Sequence, residues 1–137
     1  MNILVDTCVW SLALRAKTAA GVPYVGELKE LIQEARACII GPIRQELLSG
    51  IRDAAQFKSL RERLRPFPDM ETSAEDFERA AELFNLCRSR GIQGANTDFL
   101  ICAVAARHGL PVLTLDADFE LYARHIPIKL HQPRGLH

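Results

Sequence analysis

The sequence predicts an α/β domain with a mainly parallel sheet and helices on both of its faces. Two observations carry this. Short, continuously apolar and branched runs at 3–5, 37–40 and 111–115 have the character of strands buried on both sides, as parallel strands are. Longer stretches with apolar residues at helical spacing separate them, and strands alternating with helices are the pattern of βαβ units. The implied architecture is a three-layer α/β/α sandwich. With 137 residues, 48% of them apolar, the chain can bury one substantial core, so one domain over 1–137 is expected.

Ile3, Leu4 and Val5 form the first strand, and Asp6 and Thr7 end it and open a helix. The small-residue stretch 16–22 reads as a loop. Val25, Leu28, Leu31, Ile32 and Ala35 give residues 24–36 a helical stripe. Residues 37–40 are the second strand, stopped by Gly41 and Pro42. Proline suits the first position of a helix, and Ile43, Leu47 and Ile51 supply that helix with its apolar face. Ala54, Phe57, Leu60 and Leu64 mark another helix, closed by Pro66 and Pro68. That apolar face could belong to the core or meet a second protomer. Ser73 followed by Asp76 is a capping box for a helix whose face is Phe77, Ala80, Ala81, Phe84 and Cys87, with Gly91 as its stop. Asn96 or Thr97 caps the next helix. It is apolar on nearly every side from Phe99 to Ala106 and should be central; His108 and Gly109 end it. After the third strand, 116–124 is a short helical turn. Residues 126–130 alternate and contain Pro127, so they are expected as an edge strand. The polar tail from His131 is expected to fray.

Composition excludes several classes. Lys plus Arg and Asp plus Glu are 17 each, so the net charge is zero. This argues against extended, salt-driven nucleic-acid binding but leaves room for an acidic pocket in which a metal supplies positive charge. Cys8, Cys38, Cys87 and Cys102 form no C-x-x-C pair and sit in apolar runs, so they read as reduced core residues in a cytoplasmic protein. The N-terminus has no basic region and reads as a strand rather than a signal peptide. No apolar stretch approaches the roughly 20 residues of a membrane helix.

In an open parallel sheet, sites lie outside the carboxyl ends of the strands. Four acids fall there: Asp6 after the first strand, Glu46 in the helix after the second, Asp98 opening the buried helix, and Asp116 after the third strand. Singly, each has a plainer explanation as a helix cap or a macrodipole partner. Together, acids in a partly buried cleft repel one another unless a counter-charge is present. Magnesium resolves that conflict with one or two carboxylates and several waters, and a metal so held can activate water against a phosphodiester. Arg15, Lys17 and Arg44 could touch phosphates and Trp10 could stack on a base. Surface charge and core packing are the plainer explanations for them. His108, His125, His131 and His137 share no spacing that would suit a histidine-dependent ribonuclease.

Four segments, Ile3–Thr7, Gly41–Leu47, Asn96–Ala103 and Gly109–Phe119, occur in an order and spacing that resembles the PIN-domain family, and within it the VapC-type toxin ribonucleases of bacterial toxin–antitoxin pairs. The resemblance spans almost the whole chain. It implies a compact α/β/α sandwich and endonuclease activity on RNA dependent on Mg2+, with Mn2+ a possible substitute. It also implies a VapB-type antitoxin whose C-terminal segment occupies the site, and a homodimer. Asp6 and Asp98 match the acids that contact the metal most directly. Glu46 and Asp116 match those that bind a second metal or orient water. Thr7 and Thr114 match hydroxyls beside them, and Asp118 a further acid after the strand. A housekeeping PIN nuclease and a non-catalytic binding module remain alternatives. A phosphotransferase of the haloacid-dehalogenase kind needs a second Asp two residues after Asp6, where this chain has Cys8.

Overall fold

A computed structural model of the chain describes residues 1–15 and 22–134. The loop expected over 16–22 and Lys17 therefore lie outside the described residues, apart from Val22, which begins a helix. The order is β1 (Ile3–Val5), α1 (Thr7–Arg15), α2 (Val22–Gln33), β2 (Ala37–Cys38), α3 (Gly41–Leu48), α4 (Ala54–Leu64), α5 (Ala74–Ser89), α6 (Asn96–His108), β3 (Val112–Leu113) and α7 (Asp118–Tyr122).

The sheet has the order β2-β1-β3 and both pairings are parallel, with Ile3 opposite Ala37 and Leu4 opposite Val112. Every strand residue is buried, which explains the unbroken apolar runs. The chain steps from β1 to one side and then back across β1 to the other. Right-handed crossovers in opposite directions place their helices on opposite faces. Accordingly α1 packs on α2 and α3, and α3 on α4, while α5 runs along α6. This is the expected α/β/α arrangement. In α6, every residue from Phe99 to Ala105 is buried, and Gly109, at φ 66°, closes the helix in the left-handed conformation that glycine adopts without strain.

Trp10 is core: its ring meets Phe67 edge-on at 5.0 Å and its Nε1–H donates to the Val5 carbonyl at 3.1 Å. Leu60 and Leu64 are buried too, so the α4 face belongs to the core.

The structure corrects several expectations. Residues 126–130 do not form a strand; Leu130 makes one isolated parallel bridge to Val112. Pro127 forces a tight turn in which the Ile128 N–H bonds the Ile126 carbonyl at 2.8 Å, and this breaks the extended run. The tail, described as far as Arg134, is docked rather than frayed. His131 is half-buried and bonds Glu27, and the Arg134 guanidinium also reaches Glu27, at 3.1 Å, and Glu34, at 2.7 Å. Burial acts to raise the Glu27 carboxyl, but the bonds from His131 and Arg134 outweigh it and hold it below the ordinary range. The helix expected to be capped by Asn96 or Thr97 begins one residue earlier, with Ala95 in the cap position.

The α5 stripe is rotated from expectation. Its buried residues are Asp76, Ala80, Leu83 and Cys87, whereas Phe77 is 53% exposed. The cause is an ion pair with α6. Arg107 donates from Nε to Asp76 Oδ1 at 2.6 Å and from its Nη2 to Oδ2 at 2.7 Å. Asp76 also accepts the Ser73 N–H at 2.9 Å, as the capping box requires. Turning Asp76 inward carries Phe77 to the flank.

Candidate active site

Because all strands run the same way, their carboxyl ends share one edge of the sheet, and β1 lies centrally on it. Asp6 continues directly from β1. Its N–H still bonds the Leu113 carbonyl at 2.9 Å, and its own carbonyl caps α1 through the Val9 N–H at 3.1 Å. The side chain is therefore anchored from two sides, and it is only 6% exposed.

From Asp6 a continuous ribbon of hydrogen bonds runs along the edge. On one side the Thr7 N–H donates to Asp6 Oδ1 at 2.7 Å, and the Thr7 hydroxyl donates to Glu46 Oε2 at 2.9 Å, linking β1 to α3. On the other side the Thr114 hydroxyl donates to Asp6 Oδ2 at 2.8 Å and accepts the Asp116 N–H at 3.0 Å. Asp116 Oδ1 in turn accepts the Asp118 N–H at 2.9 Å. Six of the seven residues expected at the site, Asp6, Thr7, Glu46, Thr114, Asp116 and Asp118, thus lie on one bonded line.

Asp98, the seventh, stands apart from that line in the first turn of α6, half-buried, yet within its electrostatic reach. Burial raises the carboxyl of Asp98, and the charges of Asp6 and Asp116 raise it further. Asp6 is raised by burial above all, with Asp116 adding to the effect against the opposing bonds from Thr114 and Thr7. Asp6 and Asp98 therefore resist ionisation, as acids do in a poorly solvated cleft without a counter-charge. Glu46 and Asp118 are exposed.

This donor set suits a hard cation. Among the described residues no three acidic, histidine or cysteine side chains already form a cage around one point. Mg2+ requires no such cage, since one or two carboxylates and retained waters complete its octahedron. Asp6, buried, and Asp98, half-buried and raised by the Asp6 charge, are the pair that a divalent ion would relieve most.

Two residues at the site escaped the sequence reading. Tyr122 is fully buried and its hydroxyl donates to Asp98 Oδ2 at 2.9 Å. No local signal announces it, because its partner lies 24 positions earlier. Cys8 was expected in the core with Cys38, Cys87 and Cys102, which are buried; Cys8 is only half-buried. Its thiol lies 3.5 Å from both Asp6 Oδ2 and the Thr114 hydroxyl and accepts the Leu115 N–H at 3.3 Å. Its place two residues after Asp6, at a helix start, was the available signal. Burial first, then the Asp6 charge, push the Cys8 thiol up, so it stays protonated and is no nucleophile.

Arg44, one of the candidate phosphate contacts, is committed elsewhere. It donates to Asp69 Oδ1 at 3.0 Å and to the carbonyls of Leu64 at 2.9 Å and Phe67 at 2.6 Å, and so ties down the turn after α4. Arg15 is the last residue of α1.

Fold and edge geometry together define a compact parallel α/β protein with an acidic site at its topological switch point, and comparison with known proteins places it. Residues 3–125 match the family model of the PIN domain. Over 127 residues, covering 89% of this chain and 92% of theirs, the chain is 35% identical to VapC ribonuclease Mb1587 of Mycobacterium bovis and to ribonuclease VapC11 of Mycobacterium tuberculosis. Among solved structures, FitAcB from Neisseria gonorrhoeae superposes with a TM-score of 0.76 at 25% identity, covering 98% of this chain and 99% of that one. VapBC2 from Rickettsia felis, bound to a DNA fragment from its promoter, gives 0.71 at 19% identity, covering 96% and 98%. The chain belongs to the PIN-domain family, within its VapC group.

Proposed function

We propose that this protein is a metal-dependent endoribonuclease, the toxin of a toxin–antitoxin pair, with its active site at Asp6, Glu46, Asp98 and Asp116. The observation that carries the reading is the bonded acidic edge, with Asp98 raised by burial and by the charges of Asp6 and Asp116. A bound cation would offset the burial and mutual repulsion that raise Asp6 and Asp98. The names of the mycobacterial relatives, both ribonucleases, support RNA as substrate. A solved relative described as a toxin–antitoxin complex, from Klebsiella pneumoniae, supports a protein antitoxin as partner; it gives a TM-score of 0.68 at 23% identity.

Asp6 and Asp98 would hold Mg2+, or Mn2+ in its place, and Glu46 and Asp116 would hold a second ion or orient water. When bound, the metal supplies Lewis-acid stabilisation of phosphoryl charge and a more acidic water. The chain's own part is positional. Thr7 and Thr114 fix the two oxygens of Asp6, Thr7 sets the distance of Glu46, and burial keeps bulk water from screening Asp6. The attacking group is water and no covalent intermediate forms, in keeping with a protonated Cys8. A homodimer is also proposed. The exposed Phe77 lies on a largely apolar groove of about 420 Å³ with Pro42, Ala80, Ala81, Phe84 and Leu100, a surface suited to a second copy.

End-group analysis tests the reading directly. With water attacking phosphorus and the 3′-oxygen leaving, a cleaved oligoribonucleotide carries a 5′-phosphate and a 3′-hydroxyl. A 2′,3′-cyclic phosphate would mean that the RNA's own 2′-hydroxyl attacks, and would overturn the mechanism. Thr114→Val gives a second check. It keeps the shape of the side chain but removes both the donor to Asp6 and the acceptor for Asp116. Cleavage should slow by roughly 10–100-fold, the usual cost of losing a group that orients a metal ligand. The melting temperature should move by only a few degrees, the effect of losing about 1 kcal/mol of hydrogen bonding.

A further inference from the structure

We propose that Tyr122 is a positioning residue for Asp98, and that Gly94 is glycine so that the Tyr122 hydroxyl can reach it; the inference rests on the reading of Asp98 as a metal-contacting acid. The Tyr122 side chain has one place to be. It is fully buried, with its ring centroid 4.9 Å from that of Phe99 and 5.0 Å from that of Phe119. From there its hydroxyl donates to Asp98 Oδ2 at 2.9 Å. With that oxygen held, the direction of Oδ1 follows, and a ligand oxygen held in advance loses less freedom when an ion arrives.

A second segment is shaped around the same hydroxyl. A Cβ added to Gly94 would stand 2.2 Å from the Tyr122 hydroxyl oxygen, 2.8 Å from its Cζ and 3.0 Å from Phe99 Cε2. The backbone at Gly94 thus packs directly against the Tyr122 hydroxyl, and any larger residue would push that hydroxyl aside. Phe99 adjoins Asp98 in α6, so the aromatic group that seats Tyr122 also belongs to the turn that carries the acid. A tyrosine that merely satisfied its own buried hydroxyl would need only some acceptor. Here the acceptor is the acid expected to touch the metal.

The test is calorimetric titration of Mn2+ into the metal-free full chain as wild type, Tyr122→Phe and Gly94→Ala, with thermal unfolding of each in EDTA. Tyr122→Phe keeps the ring and its packing and removes only the hydroxyl. It should bind Mn2+ about tenfold more weakly, with a melting temperature in EDTA within a few degrees of wild type. The Mn2+ concentration for half-maximal RNA cleavage should rise by the same factor. Gly94→Ala retains the hydroxyl but displaces it, and should weaken Mn2+ binding as well. If Tyr122→Phe binds Mn2+ as tightly as wild type, Tyr122 is structural only, and the metal reading of Asp98 stands without it. If the wild type itself binds no Mn2+, that reading fails and the positioning role fails with it.

Discussion

Replacing Asp98 with Asn is expected to lower RNA cleavage by at least about 10³-fold while leaving the fold intact. Three decades correspond to about 4 kcal/mol of transition-state stabilisation, which is within what a directly bound metal supplies. The fold should survive because an amide fills the same space and its oxygen still accepts from the Tyr122 hydroxyl. Stability without metal should even rise. Burial first, and then the charges of Asp6 and Asp116, hold the Asp98 carboxyl above the usual carboxylate range. Ionising it at neutral pH therefore opposes folding, and a neutral amide does not carry that cost. The sign can be checked against pH. For an acid whose folded value is raised, the cost is present above the folded value and is relieved as pH falls through it toward the unfolded value near 4. In EDTA, Asp98→Asn should melt at or above the wild-type temperature at pH 7, and the difference should shrink on acidification. Asp6→Asn should lower cleavage in the same way but without the gain in stability, because its one amide oxygen cannot accept from both the Thr7 N–H and the Thr114 hydroxyl. A variant that cleaves RNA at the wild-type rate would remove its acid from the site.

Asp76→Ala is expected to cost about 3 kcal/mol of folding stability and to lower the melting temperature by roughly 10 °C, with no direct effect on the acidic edge. Asp76 is 2% exposed and accepts two bonds from Arg107 and one from the Ser73 N–H. Charge-assisted bonds contribute about 1.5–3 kcal/mol and a helix cap about 1. At about 2.1 cal/mol/K per residue of unfolding entropy, 3 kcal/mol in a chain of this size corresponds to that shift. Arg107 is partly exposed and stays solvated after the substitution, which keeps the loss below that of a fully buried pair. The pH dependence has the opposite sign to that of Asp98. The bond from Arg107 holds the Asp76 carboxyl below its ordinary value. The pair's stabilisation is complete above the unfolded value near 4 and is lost as pH falls below it toward the folded value. The difference in melting temperature between wild type and Asp76→Ala should therefore hold from pH 7 down to about pH 4 and begin to shrink below it. A constant difference would mean that Asp76 acts through packing rather than charge.

What the sequence made legible follows from how local each signal is. The strands announced themselves as the runs 3–5, 37–40 and 111–115 because burial on both faces removes polar residues, although regular pairing covers only 37–38 and 112–113 of the last two. The buried α6 did so because Phe99–Ala105 leaves no polar face. The meeting of Asp6, Glu46 and Asp116 along one edge was legible because a parallel sheet brings strand ends together, whatever the loops do, while Asp98 stands apart at the start of α6. The rest depended on partners far away in the chain. The rotation of α5 is set by Asp76 meeting Arg107, 31 positions on, and an amphipathic reading assigns the charged residue outward and Phe77 inward. Tyr122 and Gly94 acquire meaning only when α7 folds over the start of α6. The tail looked frayed because its polar composition does not reveal that Glu27, buried on α2, waits for His131 and Arg134.

The most direct measurement is cleavage of a mixed RNA pool by the purified, antitoxin-free protein in Mg2+, in EDTA, and as Asp98→Asn in Mg2+. A metal-bearing acidic edge predicts fragments in the first reaction and intact RNA in the other two. Intact RNA in all three, from a protein shown to be folded and tested with Mn2+ as well as Mg2+, would contradict it. The same surface would then be a binding site and not a catalyst.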